Sequence, residues 1–114
     1  MEEQSNSILK IYASTTDKIG NQMLYEYIVY KAREEGISGV TVFRGIMGYG
    51  SSSKISSSSY WELTEKLPIV IELIDKTELV ERFYKKISPD LINMPKGCLV
   101  LIESVNILLK KSGK

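Results

Sequence analysis

The chain has 114 residues, 43% hydrophobic and 25% charged, with a formal net charge of +1 from 15 basic and 14 acidic residues. That is room for one domain with a modest core, and the near balance of charge argues against a nucleic-acid binder, whose affinity comes largely from neutralised phosphates. Histidine is absent and cysteine occurs once, which excludes histidine-based triads, an intramolecular disulfide and a multi-cysteine zinc site. The polar, acidic start has no hydrophobic signal core, and no apolar stretch approaches the ~20 residues of a membrane helix. A cytoplasmic protein is expected.

The first predicted element is a strand over Ser7 to Ala13, with Leu9, Ile11 and Ala13 on one side and Ile8, Lys10 and Tyr12 on the other. After a polar connection, a helix is expected from Asn21 to Glu35. Leu24, Tyr27, Ile28 and Ala32 form its apolar face and Gly36 its stop. Gly39 to Ile46 reads as a β-branched strand. Ser51 to Ser59 is serine except for Lys54 and Ile55, too polar to pack a core, and it reads as part of a mobile loop over about 47–60 inside the domain. Ile69 to Asp75 is a strand apolar enough to be central. A second helix is expected from Asp75, with Glu78 completing a capping box, and Ser88-Pro89 and Met94-Pro95-Lys96-Gly97 bounding its exit. Cys98 to Val105 closes the pattern as a last strand, with Cys98 a small buried hydrophobe. Ile107 to Leu109 either continues it or starts a short strand.

The order β-α-β-β-α-β predicts an α+β, ferredoxin-like fold over 1–114: an antiparallel four-stranded sheet with both helices on one face. Strands apolar on both sides leave the other face to be covered by a further copy, so an oligomer is expected.

Chemistry-bearing patterns are sparse. Gly45-Ile46-Met47-Gly48-Tyr49-Gly50 has neither the dinucleotide-binding spacing nor a Walker ending. Two readings stand: a backbone that approaches a phosphate or sugar and donates N–H groups, or a strand end followed by turns. Glu34-Glu35, Glu62 with Glu65, and Glu78 with Glu81 suit solvated faces, and Asp17 and Asp90 suit turns or caps. No metal site and no catalytic constellation emerges, so the chain is read as a non-enzyme. The alternative is a small enzyme on a phosphorylated or nucleotide substrate with Arg44, Lys10 or Lys96 as electrophilic groups. An RNA-recognition module shares the element order but needs stacking aromatics where the matching strands offer only Tyr12. A copper carrier of this fold needs a Cys-x-x-Cys that is missing. Lys110, Lys111 and Lys114 form either a solvated tail or an arm toward a ligand phosphate.

The segment Gly36-Ile37-Ser38-Gly39-Val40-Thr41-Val42, followed by Gly48-Tyr49-Gly50, resembles the PII signal-transduction proteins. These carry a Gly-Ile-x-Gly-x-Thr-Val strand leading to a Gly-Phe-Gly before their long T-loop. Leu67-Pro68-Ile69-Val70-Ile71-Glu72 resembles the strand returning from that loop. Thr41-Val42-Phe43-Arg44-Gly45-Ile46-Met47-Gly48-Tyr49-Gly50 is closer still to an uncharacterised family of PII-like proteins, in which Arg-Gly-x-x-Gly-Phe/Tyr-Gly precedes a Ser-rich loop and Leu-Pro-x-Val-x-Glu. The match runs from Ile8 to Leu109.

The resemblance implies a homotrimer with ligand clefts between subunits, and a regulator whose loop engages a membrane transporter or enzyme partner. Carried over, Thr41 lines the adenine end, and Gly48, Tyr49 and Gly50 form the loop base at ribose and phosphate. Arg44 and Gly45 belong to the same motif. Lys96 and Gly97 occupy the loop after the second helix, and Lys111 approaches the phosphates. Met94-Pro95-Lys96-Gly97 replaces the Gly-Asp-Gly-Lys with which PII proteins hold polyphosphates, and Met47 is an extra residue before Gly-Tyr-Gly. The serine tip carries no counterpart of the tyrosine modified in some PII proteins. These departures point to AMP or ADP rather than ATP with magnesium.

Overall fold

Strict alternation along the first strand decides which face of the sheet is covered. In β1 (Asn6–Ser14), Ser7, Leu9 and Ile11 are buried, whereas Tyr12 on the opposite face is 39% exposed. The structure, a computed structural model, describes residues 5–50, 56–57 and 66–113. Its main sheet combines β1 with β4 (Gly39–Arg44), β7 (Pro68–Lys76) and β8 (Leu99–Val105) in the order β4-β7-β1-β8. All three pairings are antiparallel, with Ile11 opposite both Ile71 and Val100, and Val42 opposite Ile71. The two central strands are the ones whose inward residues are fully buried, as their apolar runs require.

Both helices lie on one face. In α1 (Leu24–Glu34), Leu24, Ile28 and Ala32 are buried; in α2 (Thr77–Asn93), Val80, Phe83, Ile87 and Leu91 are. With Leu9, Ile11, Ile69, Ile71 and Leu73 from the strands, they form one core, each large side chain contributing about 1.5–3 kcal/mol on burial. Gly36 ends α1 as expected. At φ +81° its amide donates to the Arg33 carbonyl, and Ile37 donates to Ala32, the paired bonds of a Schellman stop.

Several expectations change. The connection after β1 contains a tight hairpin, β2 (Lys18–Ile19) and β3 (Gln22–Met23), that turns at Gly20 with φ +61°, so α1 starts at Leu24 rather than Asn21. The capping box at Asp75 does not form, because β7 runs on to Lys76 and keeps Asp75 on its buried face. Its carboxylate instead accepts the Lys76 and Ser38 amides at 2.8 and 2.9 Å. Pro89 lies inside α2 instead of ending it. Proline leaves the Lys85 carbonyl without its helical donor, and the Ser88 hydroxyl donates to that carbonyl at 3.4 Å. Cys98 is exposed, since it stands before the first paired residue of β8, Leu99.

The sheet face away from the helices carries Ile8, Lys10, Tyr12, Thr41, Phe43, Val70, Glu72, Ile74, Leu101 and Glu103, by the alternation of the paired strands. Lys10 and Glu103 pair there at 2.8 Å. Beyond β8 the chain is irregular, with Leu108 96% and Leu109 80% exposed, so neither a continued nor an extra strand forms at 107–109. Among the described residues no helix is long and apolar enough to cross a membrane, and no cluster of acidic or cysteine side chains could hold a metal ion.

Candidate functional site

The glycine motif is built around one proline. The Gly45 amide donates to the Pro68 carbonyl at 2.7 Å, closing the pair of chain segments that leave and re-enter the sheet. A Cβ on Gly45 would stand 2.9 Å from Pro68 Cγ, and one on Gly48 3.4 Å from the same atom. Gly45 is thus required by close approach, and Gly48 fits more comfortably. Gly50 meets nothing within 4 Å, so local packing gives no reason for a glycine there. β5 (Met47–Gly48) pairs with β6 (Ser56–Ser57), Met47 opposite Ser57 and Gly48 opposite Ser56. Ile46, Met47 and Tyr49 are 77%, 61% and 71% exposed around this base. The rest of the loop expected over 47–60 lies outside the described residues.

Thr41 and Arg44 are exposed on β4, one edge of the sheet. Lys96 and Gly97 are exposed in the turn before β8, the opposite edge. Three strand spacings, about 14 Å, separate these edges. Register puts both groups at the same end: Arg44 is opposite Ile69, Ile69 opposite Ala13, and neighbouring Tyr12 opposite Leu99. Lys111 follows the far end of β8, about 20 Å away along the strand. Within one chain the structure therefore joins Arg44, Gly45, Gly48, Tyr49 and Gly50, sets Lys96 and Gly97 across the sheet, and leaves Lys111 at the other end. Lys10, a candidate electrophile, is held by Glu103 on the open face, so Lys10, Arg44 and Lys96 do not converge.

Between the two groups lies a turn that the residue pattern alone does not single out. Ser14, at the end of β1, and Asp17 are 7% and 4% exposed. The Ser14 amide donates to Asp17 Oδ2 at 3.0 Å, and the Asp17 amide to the Ser14 carbonyl at 3.1 Å. Thr15 grips the returning strand from both sides: its amide donates to the Leu67 carbonyl at 2.9 Å, and its hydroxyl accepts the Leu67 amide at 3.1 Å. Burial pushes the Asp17 carboxyl above its ordinary range, while the Ser14 amide, Lys66 and Lys96 pull it back. The Ser14 hydroxyl has no hydrogen-bond partner among the described residues. The Ser-Thr-Thr-Asp run marks this as a turn; that it is tied to Leu67, far away in sequence, is a tertiary fact.

The profile of the DUF190 family, described as an uncharacterized ACR, matches residues 6–107. The chain belongs to that family. A UPF0166 protein of Aquifex aeolicus strain VF5 is 34% identical over 87 residues, covering 76% of this chain and 83% of its own. Among solved structures, a PII-like signaling protein from Thermus thermophilus superposes with TM-score 0.62 at 15% identity, over 90% of this chain and 88% of its own. CPII from Thiomonas intermedia K12, a nitrogen regulatory PII-like protein bound to ADP, AMP and bicarbonate, does so with TM-score 0.57 at 17% identity, over 89% and 88%. The fold of this DUF190 member is that of the PII-like proteins, α+β with an antiparallel sheet.

Proposed function

We propose that this protein is a PII-like regulator that binds an adenine nucleotide, AMP or ADP, in clefts between the subunits of a homotrimer and relays occupancy through the segment after Gly50 to a protein partner. One observation carries the reading. Arg44 and the Gly45–Gly50 base lie at the end of one sheet edge, with Thr41 further back along the same strand, and Lys96–Gly97 lie at the same end of the other edge. A ligand touching both groups at once fits between two copies placed edge beside edge, better than within one. The largely apolar open sheet face supplies the surface on which copies would associate. The adenine nucleotides bound to CPII make AMP and ADP the first ligands to try.

The test is isothermal titration with AMP, ADP and ATP, alongside light scattering of the free protein. AMP or ADP should bind with one site per chain to a particle of three times the chain mass. A nucleotide at ~100 times its Kd should add about 2.7 kcal/mol to stability. Because Gly50 has open space around it, Gly50→Val should fold normally, and loss of binding in that variant reports the site. A monomer, or no heat with any of the three nucleotides, refutes the reading.

A further inference from the structure

We propose that the cleft between the β2–β3 hairpin and the C-terminal end of α2 binds a free α-amino acid, with its ammonium group on Asp90 and its carboxylate on Lys18. The inference goes beyond the nucleotide reading and does not rest on it.

The cleft has a volume of about 200 Å³, below the roughly 300–1,000 Å³ of pockets that hold drug-sized molecules, so its occupant is small. Lys18, Ile19 and Gly20 of the hairpin form one wall. Asp90, Asn93, Met94 and Pro95 at the end of α2 form the other. Both walls are held in place. The hairpin turns at Gly20 with φ +61°, and Lys18 pairs with Met23. The Leu24 amide donates to the Asp17 carbonyl at 2.7 Å, closing the hairpin onto the start of α1. Met94 belongs to the core, and Ile19 packs against it.

Two opposite charges line this space without neutralising each other. Lys18 is exposed, and no ion pair joins it to Asp90 among the described residues. Asp90 accepts the Tyr27 hydroxyl on Oδ2 and has no other side-chain partner among the described residues. Burial, then that bond, push the Tyr27 hydroxyl up to about 12, so it stays a donor at neutral pH and orients the carboxylate. The last turn of α2 adds to the negative side. It contains no basic residue, the Met94 amide donates to the Leu91 carbonyl at 3.3 Å, and Pro95 has no N–H to give. The partial negative charge of the helix end is therefore not offset within the turn. An ammonium group suits this wall. Lys18 carries its own charge on a flexible four-carbon stem and can settle on a carboxylate beside that ammonium. Ile19, Met94 and Pro95 supply apolar surface for a short side chain. A diamine would bring a second positive charge to Lys18, and a dicarboxylate a second negative one to Asp90. An α-amino acid brings one charge of each sign.

The experiment titrates the full chain with L-leucine, L-leucinamide and N-acetyl-L-leucine, read by two-dimensional amide NMR. L-Leucine should move the amides of Lys18, Gly20, Asn93 and Met94 together with one affinity. Each blocked compound lacks one charged contact and should bind about tenfold more weakly. Lys18→Met, at an exposed position, should fold as the parent does and bind L-leucine and L-leucinamide equally. Asp90→Asn should bind L-leucine and N-acetyl-L-leucine equally. Tyr27→Phe removes the bond between the helices but keeps the carboxylate, and should weaken L-leucine binding by no more than about threefold. A merely structural Asp90 would make Tyr27→Phe and Asp90→Asn equally weak and leave the preference for a free amine intact in both, which overturns the proposal. So does L-leucine that binds no better than its two blocked forms, or that leaves the four amides in place.

Discussion

Gly45 and Gly50 flank the same motif, yet the structure assigns them opposite sensitivities to a methyl group. A Cβ on Gly45 meets Pro68 Cγ at 2.9 Å and the Pro68 carbonyl oxygen at 3.3 Å, whereas one on Gly50 meets nothing within 4 Å. Neither residue has positive φ, so backbone strain does not enter. Alanine at either position narrows the unfolded ensemble by a similar amount, worth about 0.4–1 kcal/mol, and that gain cancels in the comparison. What remains is the clash with a proline ring and carbonyl anchored in β7, which cannot swing away as a flexible side chain would. Overpacking of this kind costs about 1–3 kcal/mol, and the 2.7 Å bond from the Gly45 amide to Pro68, worth about 1 kcal/mol net, lengthens with it. Gly45→Ala should therefore fall about 2 kcal/mol below Gly50→Ala, a difference of roughly 8 °C in Tm for a domain of this size. Calorimetry of the two variants beside the parent is the assay. Equal melting temperatures would mean that the glycine–proline approach is not a constraint on the folded chain, and the reason given for Gly45 in the motif would fall with it.

Three further outcomes rest on single contacts. Tyr27→Phe removes the hydroxyl that donates to Asp90 across the two helices; it should cost about 1–2 kcal/mol by urea titration. Burial, then the Asp90 carboxylate, push the Tyr27 hydroxyl up to about 12. A pKa raised above the unfolded value gives stability that is present below pH ~10 and lost as pH rises through 12, so the difference between parent and Tyr27→Phe should shrink there. Tyr12→Glu places a charge on the open sheet face, where the backbone register sets it among apolar neighbours. Light scattering should show dissociation to monomers with the circular dichroism spectrum kept, and an unchanged particle mass would remove that face from the subunit interface. Asp75→Asn should be less stable than the parent at pH 7, and the difference should shrink as pH falls below the ordinary carboxylate range and through the lowered pKa of Asp75, as acid unfolding of both proteins would show.

The fold was legible because its signals are periodic. Leu9 with Ile11, and Leu24 with Ile28 and Ala32, repeat at the spacings of strand and helix, and Gly36 marks a stop that only a left-handed residue makes cheaply. Element ends were less so, since they depend on tertiary partners. Asp75 followed by Glu78 has the pattern of a capping box, but Ser38, distant in sequence, supplies an amide that claims its carboxylate. Ser88-Pro89 has the pattern of a helix end, and the neighbouring serine hydroxyl makes the interior proline tolerable. The glycine motif was found by resemblance and explained by Pro68, whose approach to Gly45 no local spacing discloses. Asp17 was hidden for a similar reason: as a residue type it suits any turn, and only the assembled fold buries it.

Two buried aspartates sit at opposite ends of the sheet, and their surroundings give them opposite characters. Burial raises the pKa of Asp75, but the Lys76 and Ser38 amides, with Lys110 and the Ser38 hydroxyl, more than offset it, and the carboxyl ends below its ordinary value. Its stabilisation is therefore complete above the unfolded pKa near 4 and is lost as pH falls through the folded one. Asp17 is also raised by burial, but its one amide donor and two lysines do not compensate, and it stays above its ordinary value. The ionised form then costs stability at neutral pH, a cost that vanishes as pH falls through the raised value. At pH 7 Asp17→Asn should thus be as stable as the parent or more so, where Asp75→Asn is less stable. At the end held by Asp75, the carboxylate accepts two backbone amides, those of Ser38 and Lys76. At the other end, the Ser14–Asp17 turn holds a carboxyl that burial keeps above its ordinary range and a Ser14 hydroxyl without a partner among the described residues, so of the two ends it is the one whose polar groups are less well satisfied.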